Sequence, residues 1–158
     1  AGHLKGLLDK RIKTVGVFVN CPPDEAAGFA EDGIIDIIQL DGNEDDSYIE
    51  KLRKLTDKPI IKAFSVKSEN DIDRAAKSKA DYVLLDNGTG SGKSFDWTLI
   101  RDIGRDFALA GGLTPDNVAE AIKKFKPFLV DVSSGVETDG AKDPEKVRAF
   151  IENSRNAS

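Results

Sequence analysis

The regular spacing of six short apolar runs is the feature that most constrains what this chain can fold into. The runs read TVGVFV, DIIQL, PIIKAF, YVLLD, FALAGG and LVDVSSG, with the marker residues Val15, Ile37, Ile60, Val83, Ala108 and Val130. Successive markers lie 22, 23, 23, 25 and 22 residues apart. The runs are rich in Val, Ile and Leu without strict alternation, which is typical of parallel strands buried on both faces. The spacing therefore predicts six parallel strands with room for one helix between successive strands.

Helix start signals lie between these runs. In the pairs Thr114–Pro115 and Asp143–Pro144, the first residue can cap a helix and the proline suits its first position. Ser68 followed by Asp71 resembles a capping box, and Gly104 lies where a helix should end. A helical piece, HLKGLLDKR, precedes the first run. Strand and helix therefore alternate at one period, which indicates a β/α protein with right-handed crossovers.

The uniform repeat favours a (β/α)8 TIM barrel over a doubly wound sheet, because no linker or change of composition interrupts it. The strand count is six rather than eight, so we predict an incomplete barrel with about six of the eight β/α units. We expect residues 1–158 to form a single domain. In such barrels the reactive groups lie where strands end and loops begin.

Composition excludes several classes of function. The formal net charge of −5, with no basic cluster, argues against nucleic-acid binding. No apolar run is long enough to span a bilayer and no secretory signal pattern is present, so we expect a cytoplasmic protein without a membrane partner. One cysteine, Cys21, excludes an internal disulfide and a zinc site built from several cysteines. The single histidine, His3, receives no role.

The segment DNGTGSGKSFDW raises the first functional question, because a buried run, YVLLD, ends on the carboxylate Asp86. The glycines Gly88, Gly90 and Gly92 allow the backbone to approach a ligand closely or to close over it. Lys93 could close over a phosphate or be a solvated loop charge. Asp86 could be catalytic, or it could cap the loop by accepting a hydrogen bond from Gly88 or Gly90.

Two glycine-rich loops follow the last two runs, in LAGGLTPDN and DVSSGVETDGAKD. Their backbone N–H groups at Gly111, Gly112, Ser134 and Gly135 can face an anion. The loops after strands seven and eight are the usual phosphate site of a TIM barrel. One such loop could be a plain turn, but two in tandem favour phosphate binding.

Two further strand-end residues permit two interpretations each. Lys62 could reach the barrel mouth or be a buried lysine paired with a carboxylate. Cys21 could be a nucleophile, but a small packing residue is the stronger interpretation. The remaining polar residues at strand ends are Asn20, Gln39, Asp41 and Asp131.

The longer motifs are VGVFVN, IIQLDG, VLLDNGTGSGKSFDW, ALAGGLTPDNVAEAI and VDVSSGVETDGAKD. In order and spacing they resemble those of the phosphoribosylanthranilate isomerase family, barrel enzymes of tryptophan biosynthesis. The resemblance implies an Amadori rearrangement of N-(5-phosphoribosyl)anthranilate to 1-(2-carboxyphenylamino)-1-deoxyribulose 5-phosphate. An acid protonates the ring oxygen and a base removes the proton from C2 of the sugar, so the chemistry needs no metal or redox cofactor.

Residue by residue, the resemblance implies that Asp86 is the general acid. It places the phosphate against Gly111, Gly112, Ser134 and Gly135, and the sugar near Asp131 and Gln39. It also implies that a lid loop containing Gly88, Gly90, Gly92 and Lys93 lies over the substrate.

Two departures from the family pattern limit these expectations. Asp41 stands where the family has histidine, which would be mildly unfavourable beside an anthranilate carboxylate. The family's first two strands have no counterpart in residues 1–158, nor has the K-x-C-G motif whose cysteine is the general base. Cys21 does not match that motif. We therefore expect this chain alone to be inactive and to self-associate through open barrel edges.

Two other functions stay open at this point. The chain could be a non-catalytic barrel fragment that binds phosphate without turnover, or a related phosphosugar isomerase with another substrate. All three interpretations predict a small phosphorylated sugar as the binding partner.

Overall fold

The computed structural model of the chain describes residues 2–88 and 97–157. The helices are α1 (Gly2–Lys5), α2 (Pro23–Glu31), α3 (Asp46–Arg53), α4 (Glu69–Lys77), α5 (Val118–Phe125) and α6 (Pro144–Ala157). The strands are β1 (Val15–Phe18), β2 (Ile37–Leu40), β3 (Ile60–Ser65), β4 (Tyr82–Asp86), β5 (Phe107–Ala110), β6 (Leu129–Val130), β7 (Glu137–Thr138) and β8 (Ala141–Lys142).

The six predicted strands are all present at their markers. They form one sheet in the order β1-β2-β3-β4-β5-β6, in which β1 pairs with β2, β2 with β3 and β5 with β6 in parallel. The prediction of a parallel β/α array is therefore confirmed. The short antiparallel pair β7–β8 was not predicted from the sequence.

Two of the predicted helix starts are confirmed. Helix α6 begins directly after Asp143, whose carboxylate accepts hydrogen bonds from the N–H groups of Glu145 and Lys146. In the first turn of α4, Asp71 accepts hydrogen bonds from the N–H and hydroxyl of Ser68, which precedes the helix. Both carboxylates thus satisfy donors that a helix start leaves without partners inside the helix.

The start predicted at Thr114–Pro115 was wrong by three residues. Helix α5 begins at Val118, because the Asn117 side chain accepts a hydrogen bond from the Thr114 N–H and holds the preceding segment as a turn. The helix predicted to end at Gly104 is, within the described residues, a single 3₁₀ turn at Trp97–Leu99. Gly104 itself has a left-handed φ of 71°.

Contacts divide the chain into two compact units: Ala1–Ala63 with Lys77–Val83, and Phe64–Ala76 with Leu84–Ser158. This division does not test the prediction of a single domain over residues 1–158, which stays a prediction. No helix among the described residues combines the length and apolarity needed to cross a membrane.

The first unit packs α2 and α3 around β2 and the start of β3. Its fully buried apolar side chains include Ala26, Ala30, Ile38, Leu40, Leu52 and Ile60. Strand β1 departs from the prediction of burial on both faces. Phe18 on one face packs against Phe29 of α2, whereas Val17 on the other face is 57% exposed.

A carboxylate secures the entry to β2 in this unit. Asp36 accepts hydrogen bonds from the N–H and the hydroxyl of Thr14, and it pairs with Lys5 at 3.0 Å. The Thr14 N–H and the Lys5 ammonium hold the pKa of Asp36 well below its usual range. The charged carboxylate thereby stabilises the turn that aligns β1 with β2.

The second unit has its core around β5, whose four residues are all buried, as predicted for a strand covered on both faces. Helix α5 contributes Val118, Ala121 and Ile122, and α6 contributes Phe150. Trp97 packs edge-on against Phe125 with ring centroids 5.6 Å apart.

Candidate active site

Asp86 is the last residue of β4, where the strand emerges from buried Leu84 and Leu85. Its carboxyl oxygen Oδ1 accepts a hydrogen bond from the Gly88 N–H at 2.7 Å. Its backbone carbonyl accepts one from the Val66 N–H at 2.8 Å. The side chain is half-buried. The loop contact that we weighed against a catalytic role is thus present, and the second oxygen, Oδ2, faces no donor among the described residues.

Gly111, directly after β5, lies against this carboxylate. Its φ of 85° is left-handed. A Cβ at this position would overlap Asp86 Oδ1 and the backbone nitrogen of Gly88. Position 111 therefore needs glycine for its backbone conformation and for this close approach. The two loops that follow β4 and β5 meet at these three residues.

The loop after β6 meets the loop after β5 in a similar way. Ser134–Val136 forms a 3₁₀ turn, and a Cβ at Gly135 would overlap the backbone carbonyl oxygen of Leu113. The predicted phosphate residues Gly111, Gly112, Ser134 and Gly135 thus belong to two loops that touch. Among the described residues, none accepts a hydrogen bond from the N–H groups of these four. Such unbonded N–H groups are what an anion requires.

Asn117 supports this arrangement and was not singled out from the sequence. Its amide nitrogen donates to the Gly112 carbonyl at 2.9 Å, and its carbonyl oxygen accepts from the Thr114 N–H at 2.8 Å. Gly112 has a φ of 65°. The Asn117 side chain therefore bonds to both sides of the turn between β5 and α5. Its position in the motif GGLTPDN is the sequence signal that could have identified this role.

Lys62 matches the second of its two interpretations, a buried lysine paired with a carboxylate. Its ammonium donates to the carbonyls of Leu40, Gly42 and Ala63 at 2.8–3.0 Å. It also lies 3.3 Å from Glu44 Oε2, and both side chains are almost completely buried.

Glu44 was missed by the sequence analysis. Its Oε1 accepts a hydrogen bond from the Asn20 N–H at 2.6 Å. Asn20 in turn accepts one from the Asn43 N–H through its side chain. Together with Lys62, these residues tie the loops after β1 and β2 to β3. A glutamate in the polar segment DGNEDDS carries no signal that it folds inward, so sequence alone could not have found it.

Gln39 and Asp41 interact with each other at the end of β2. The Gln39 amide nitrogen donates to Asp41 Oδ1 at 3.0 Å. The aspartate that replaces the family histidine is thus held by its neighbour. Asp131, after β6, is exposed, and its N–H donates to the Leu109 carbonyl at 2.9 Å.

Cys21 is a packing residue in the structure, in line with the stronger of its two interpretations. It packs against the core of the first unit. Burial and the neighbouring Glu25, whose carboxylate lies 3.6 Å from Sγ, raise the pKa of the thiol. A raised pKa disfavours the thiolate that a nucleophile or base would need.

The remaining lid-loop residues, Gly90, Gly92 and Lys93, lie outside the described residues, whereas Gly88 holds Asp86 as stated above. Within residues 2–88 and 97–157, no group of three or more His, Cys, Asp or Glu side chains could hold a metal ion.

A parallel β/α array with a carboxylate and two glycine-rich loops at the carboxyl ends of its strands is typical of TIM-barrel enzymes. Residues 5–153 match the sequence profile of the family described as N-(5'-phosphoribosyl)anthranilate (PRA) isomerase. A relative of that name from Endomicrobium trichonymphae is 47% identical over 152 residues, which are 93% of this chain and 74% of the relative. The chain belongs to the N-(5'-phosphoribosyl)anthranilate isomerase family.

Solved structures agree with this assignment. The phosphoribosyl anthranilate isomerase of Thermotoga maritima superposes with a TM-score of 0.86 at 38% identity, covering 98% of this chain and 78% of its own. A second structure is a phosphoribosyl anthranilate isomerase in complex with reduced 1-(o-carboxyphenylamino)-1-deoxyribulose 5-phosphate, with a TM-score of 0.83 at 37% identity. It covers 98% of this chain and 77% of its own. These matches confirm the predicted TIM-barrel fold class and the predicted family of isomerases.

Proposed function

We propose that the site catalyses the Amadori rearrangement of N-(5-phosphoribosyl)anthranilate with Asp86 as the general acid. The observation that carries this proposal is the contact between the Asp86 carboxylate and Gly111, the first residue of the phosphate loop. A proton donor and an anion site therefore lie side by side. A sugar phosphate bound to the loop would present its ring to the carboxyl group.

The hydrogen bonding of Asp86 suits a proton donor. Oδ1 accepts the Gly88 N–H, so Oδ2 is the oxygen that we assign to proton transfer. Transfer of that proton to the furanose ring oxygen opens the ring and gives the Schiff base. A base must then remove the proton from C2 of the sugar.

The phosphate anchor is assigned to the N–H groups of Gly111, Gly112, Ser134 and Gly135. Main-chain donors that have no partner among the described residues bind a phosphate dianion at little cost, because the described parts of these loops need not rearrange. We also propose Asp131 as a contact of the sugar.

We further propose that a polypeptide of residues 1–158 alone binds phosphosugars but does not isomerise them. Cys21, with its raised pKa, is not poised to act as the base. Such a polypeptide also presents Val15 and Val17 on the terminal strand β1 and Val19 directly after it, exposed by 41%, 57% and 65%. An apolar edge strand favours pairing with another chain, so we expect self-association.

Phosphate binding without catalysis is the second candidate function. The observation that favours it is the Asp86–Gly88 hydrogen bond, since an aspartate that only closes a turn would make the same contact. Asp102 offers a direct comparison, because its Oδ1 accepts the Gly104 N–H at 2.8 Å in the same Asp-x-Gly geometry.

The test compares Asp86→Asn with Asp102→Asn in a polypeptide that joins residues 1–158 to the amino-terminal segment of a family relative. Asparagine keeps the size and the acceptor but removes the proton. We expect Asp86→Asn to lower kcat by about 10²–10⁴ with little change in product affinity, and Asp102→Asn to match the parent.

Equal turnover of the two variants would remove Asp86 from the mechanism and favour a binding module. Residues 1–158 alone, assayed in parallel with their mass in solution, should show phosphosugar binding without turnover. Turnover by a monomer of these residues would contradict the proposal for the isolated polypeptide.

A further inference from the structure

Lys142, in the short hairpin after the phosphate loops, makes an unusual set of contacts. Its ammonium donates to the backbone carbonyl of Ser133 at 2.8 Å and lies 3.3 Å from the Ser133 hydroxyl. It also pairs with Glu137 Oε1 at 2.6 Å. A surface lysine would gain little from one exposed ion pair, but here the ammonium joins the hairpin to the residue that precedes Ser134.

The Ser133 carbonyl and the Ser134 N–H belong to one peptide group. A trans peptide is planar, so its C=O and N–H bonds point in opposite directions. An ammonium that fixes the Ser133 oxygen therefore also fixes the direction of the Ser134 N–H. That N–H is one of the four assigned to the phosphate.

Regular structure does not hold this peptide in place. Ser133 has φ −121° and ψ −86°, which is neither helical nor extended. Among the residues that the structure describes, its carbonyl otherwise accepts only a long hydrogen bond of 3.4 Å, from the Val136 N–H that closes the 3₁₀ turn. The bond from Lys142 is the shorter of the two, and its donor carries a charge, which makes it the stronger.

The ammonium of Lys142 is also held by the carboxylate of Glu137. Glu137 and Lys142 face each other across the β7–β8 hairpin, whose turn at Asp139–Gly140 has left-handed φ angles of 53° and 77°. A second lysine, Lys146, donates to the Glu137 carbonyl at 2.7 Å but has no contact with Ser133 among its hydrogen bonds.

We propose that Lys142 is a positioning residue that orients the Ser134 N–H toward the substrate phosphate. This inference rests on the phosphate anchor of the proposed function and adds a residue to it. The charge-assisted bond also polarises the Ser133–Ser134 peptide, which makes its N–H a stronger donor. Lys142 acts through the peptide rather than by touching the phosphate.

The test uses the full chain with ¹⁵N-labelled amides, titrated with inorganic phosphate and with ribose 5-phosphate. Lys142→Met keeps the apolar stem and loses the donor, while Lys142→Arg keeps a charged donor. Lys146→Met is the matched control, because it removes the same charge from α6, where Lys146 bonds to the hairpin at the Glu137 carbonyl and not to Ser133.

We expect Lys142→Met to shift the Ser134 amide signal before any ligand is added. It should weaken phosphate binding about five- to tenfold and abolish the response of Ser134 while Gly111 still responds. Lys142→Arg should retain most of the affinity, and Lys146→Met should behave as the parent chain.

Two results would overturn the inference. One is an unchanged ligand-free Ser134 signal in Lys142→Met, since the lysine would then not orient that peptide. The other is equal weakening by Lys146→Met, which would reduce the effect to general charge. If phosphate perturbs none of the four amides in the parent chain, the proposed phosphate anchor is wrong. The ligand-free Ser134 signal of Lys142→Met then still tests whether Lys142 orients the Ser133–Ser134 peptide.

Discussion

Polar groups at the strand ends are used differently in the two units of the chain. In the first unit, Lys62 of β3 and Glu44 after β2 are buried, and the lysine is surrounded by three carbonyls and a carboxylate. At the ends of β4 and β5, Asp86 is half-buried and Gly111 offers an N–H that no described residue accepts. The charges of the first set are buried and paired with each other, although Glu44 Oε2 accepts no hydrogen bond, whereas in the second set an acid oxygen and main-chain donors have no partner among the described residues.

This difference shows how to separate structural from functional charges in a β/α fold. A buried ion pair surrounded by backbone carbonyls identifies groups that hold loops together, because no substrate reaches them. We propose the opposite role for Asp86 and the N–H groups near it, where glycines lack side chains and allow a ligand to approach closely. Lys62 lies within β3 and Asp86 ends β4, and their burial and partners distinguish the structural charge from the proposed catalytic one.

The largest expected effect comes from removing Lys62, the cation of the buried set. Lys62→Met leaves Glu44 buried without its counter-charge, which should cost about 3–5 kcal/mol in the free energy of unfolding. Glu44→Gln in the same chain should recover much of the loss, because the amide still accepts the Asn20 N–H. Denaturant unfolding measures both.

The exposed pair Lys79–Glu50 provides the control. Lys79→Met should leave the unfolding midpoint unchanged. A Lys62→Met chain as stable as the parent would show that the buried pair does not hold these loops together.

Substitution of Gly111 tests the second set of groups, at the ends of β4 and β5. Gly111→Ala should cost about 2–5 kcal/mol, since it combines the left-handed φ with overlap against Asp86 and Gly88. Gly104→Ala shares the left-handed φ, 71°, but meets no atom within 4 Å, so about 1–2 kcal/mol is expected.

Thermal unfolding and phosphate titration of both variants check this prediction. Gly111→Ala should also lose phosphate binding, and Gly104→Ala should keep it. If Gly111→Ala lost no more stability than Gly104→Ala and still bound phosphate, the loops after β4 and β5 would not meet as described.

The smallest expected effect concerns Asp36, a structural charge that is bonded but not deeply buried. Its pKa is lower in the folded chain than in the unfolded chain, so its contribution is fully present above the ordinary aspartate pKa of about 3.9. That contribution is lost as the pH falls below this value toward the folded pKa. Asp36→Asn should therefore cost about 1–2 kcal/mol at pH 7, and the difference from the parent should shrink in acid.

Urea unfolding at pH 7 and pH 3 measures this difference. Asp9, whose carboxylate pairs with Arg11 at the surface, is the control, and Asp9→Asn should not change the midpoint at either pH. A cost for Asp36→Asn that is independent of pH would assign its effect to packing rather than to charge.

The sequence was sufficient to predict all six strands, because burial of β-branched residues leaves a direct pattern at a fixed spacing. Helix starts were predictable where the capping residue acts on the helix itself, as Asp143 does for α6. They failed at Thr114, where the Asn117 side chain instead bonds back to the preceding turn. Competition between local hydrogen bonds of similar strength is not visible in a residue pattern.

For the site, the sequence predicted which strand ends carry the polar groups but not how they contact each other. Asp86 and Gly111 are 25 residues apart in the chain, and their contact depends on how β4 and β5 place the following loops. The burial of Glu44 and the reach of Lys142 to Ser133 likewise depend on tertiary structure. Long polar side chains in loops have many accessible partners, so their final contacts cannot be read from type and position alone.

The register of the sheet has a consequence for how the chain folds. Val15 lies opposite Ile37, Ile38 opposite Ile60 and Ala108 opposite Leu129, so each of these pairings closes a loop of similar length. Loop-closure entropy depends on that length, so the entropic cost of adding a strand stays nearly constant along the chain. A sheet of this kind can grow by successive additions of short sequence separation, which keeps its contact order low despite its parallel strands.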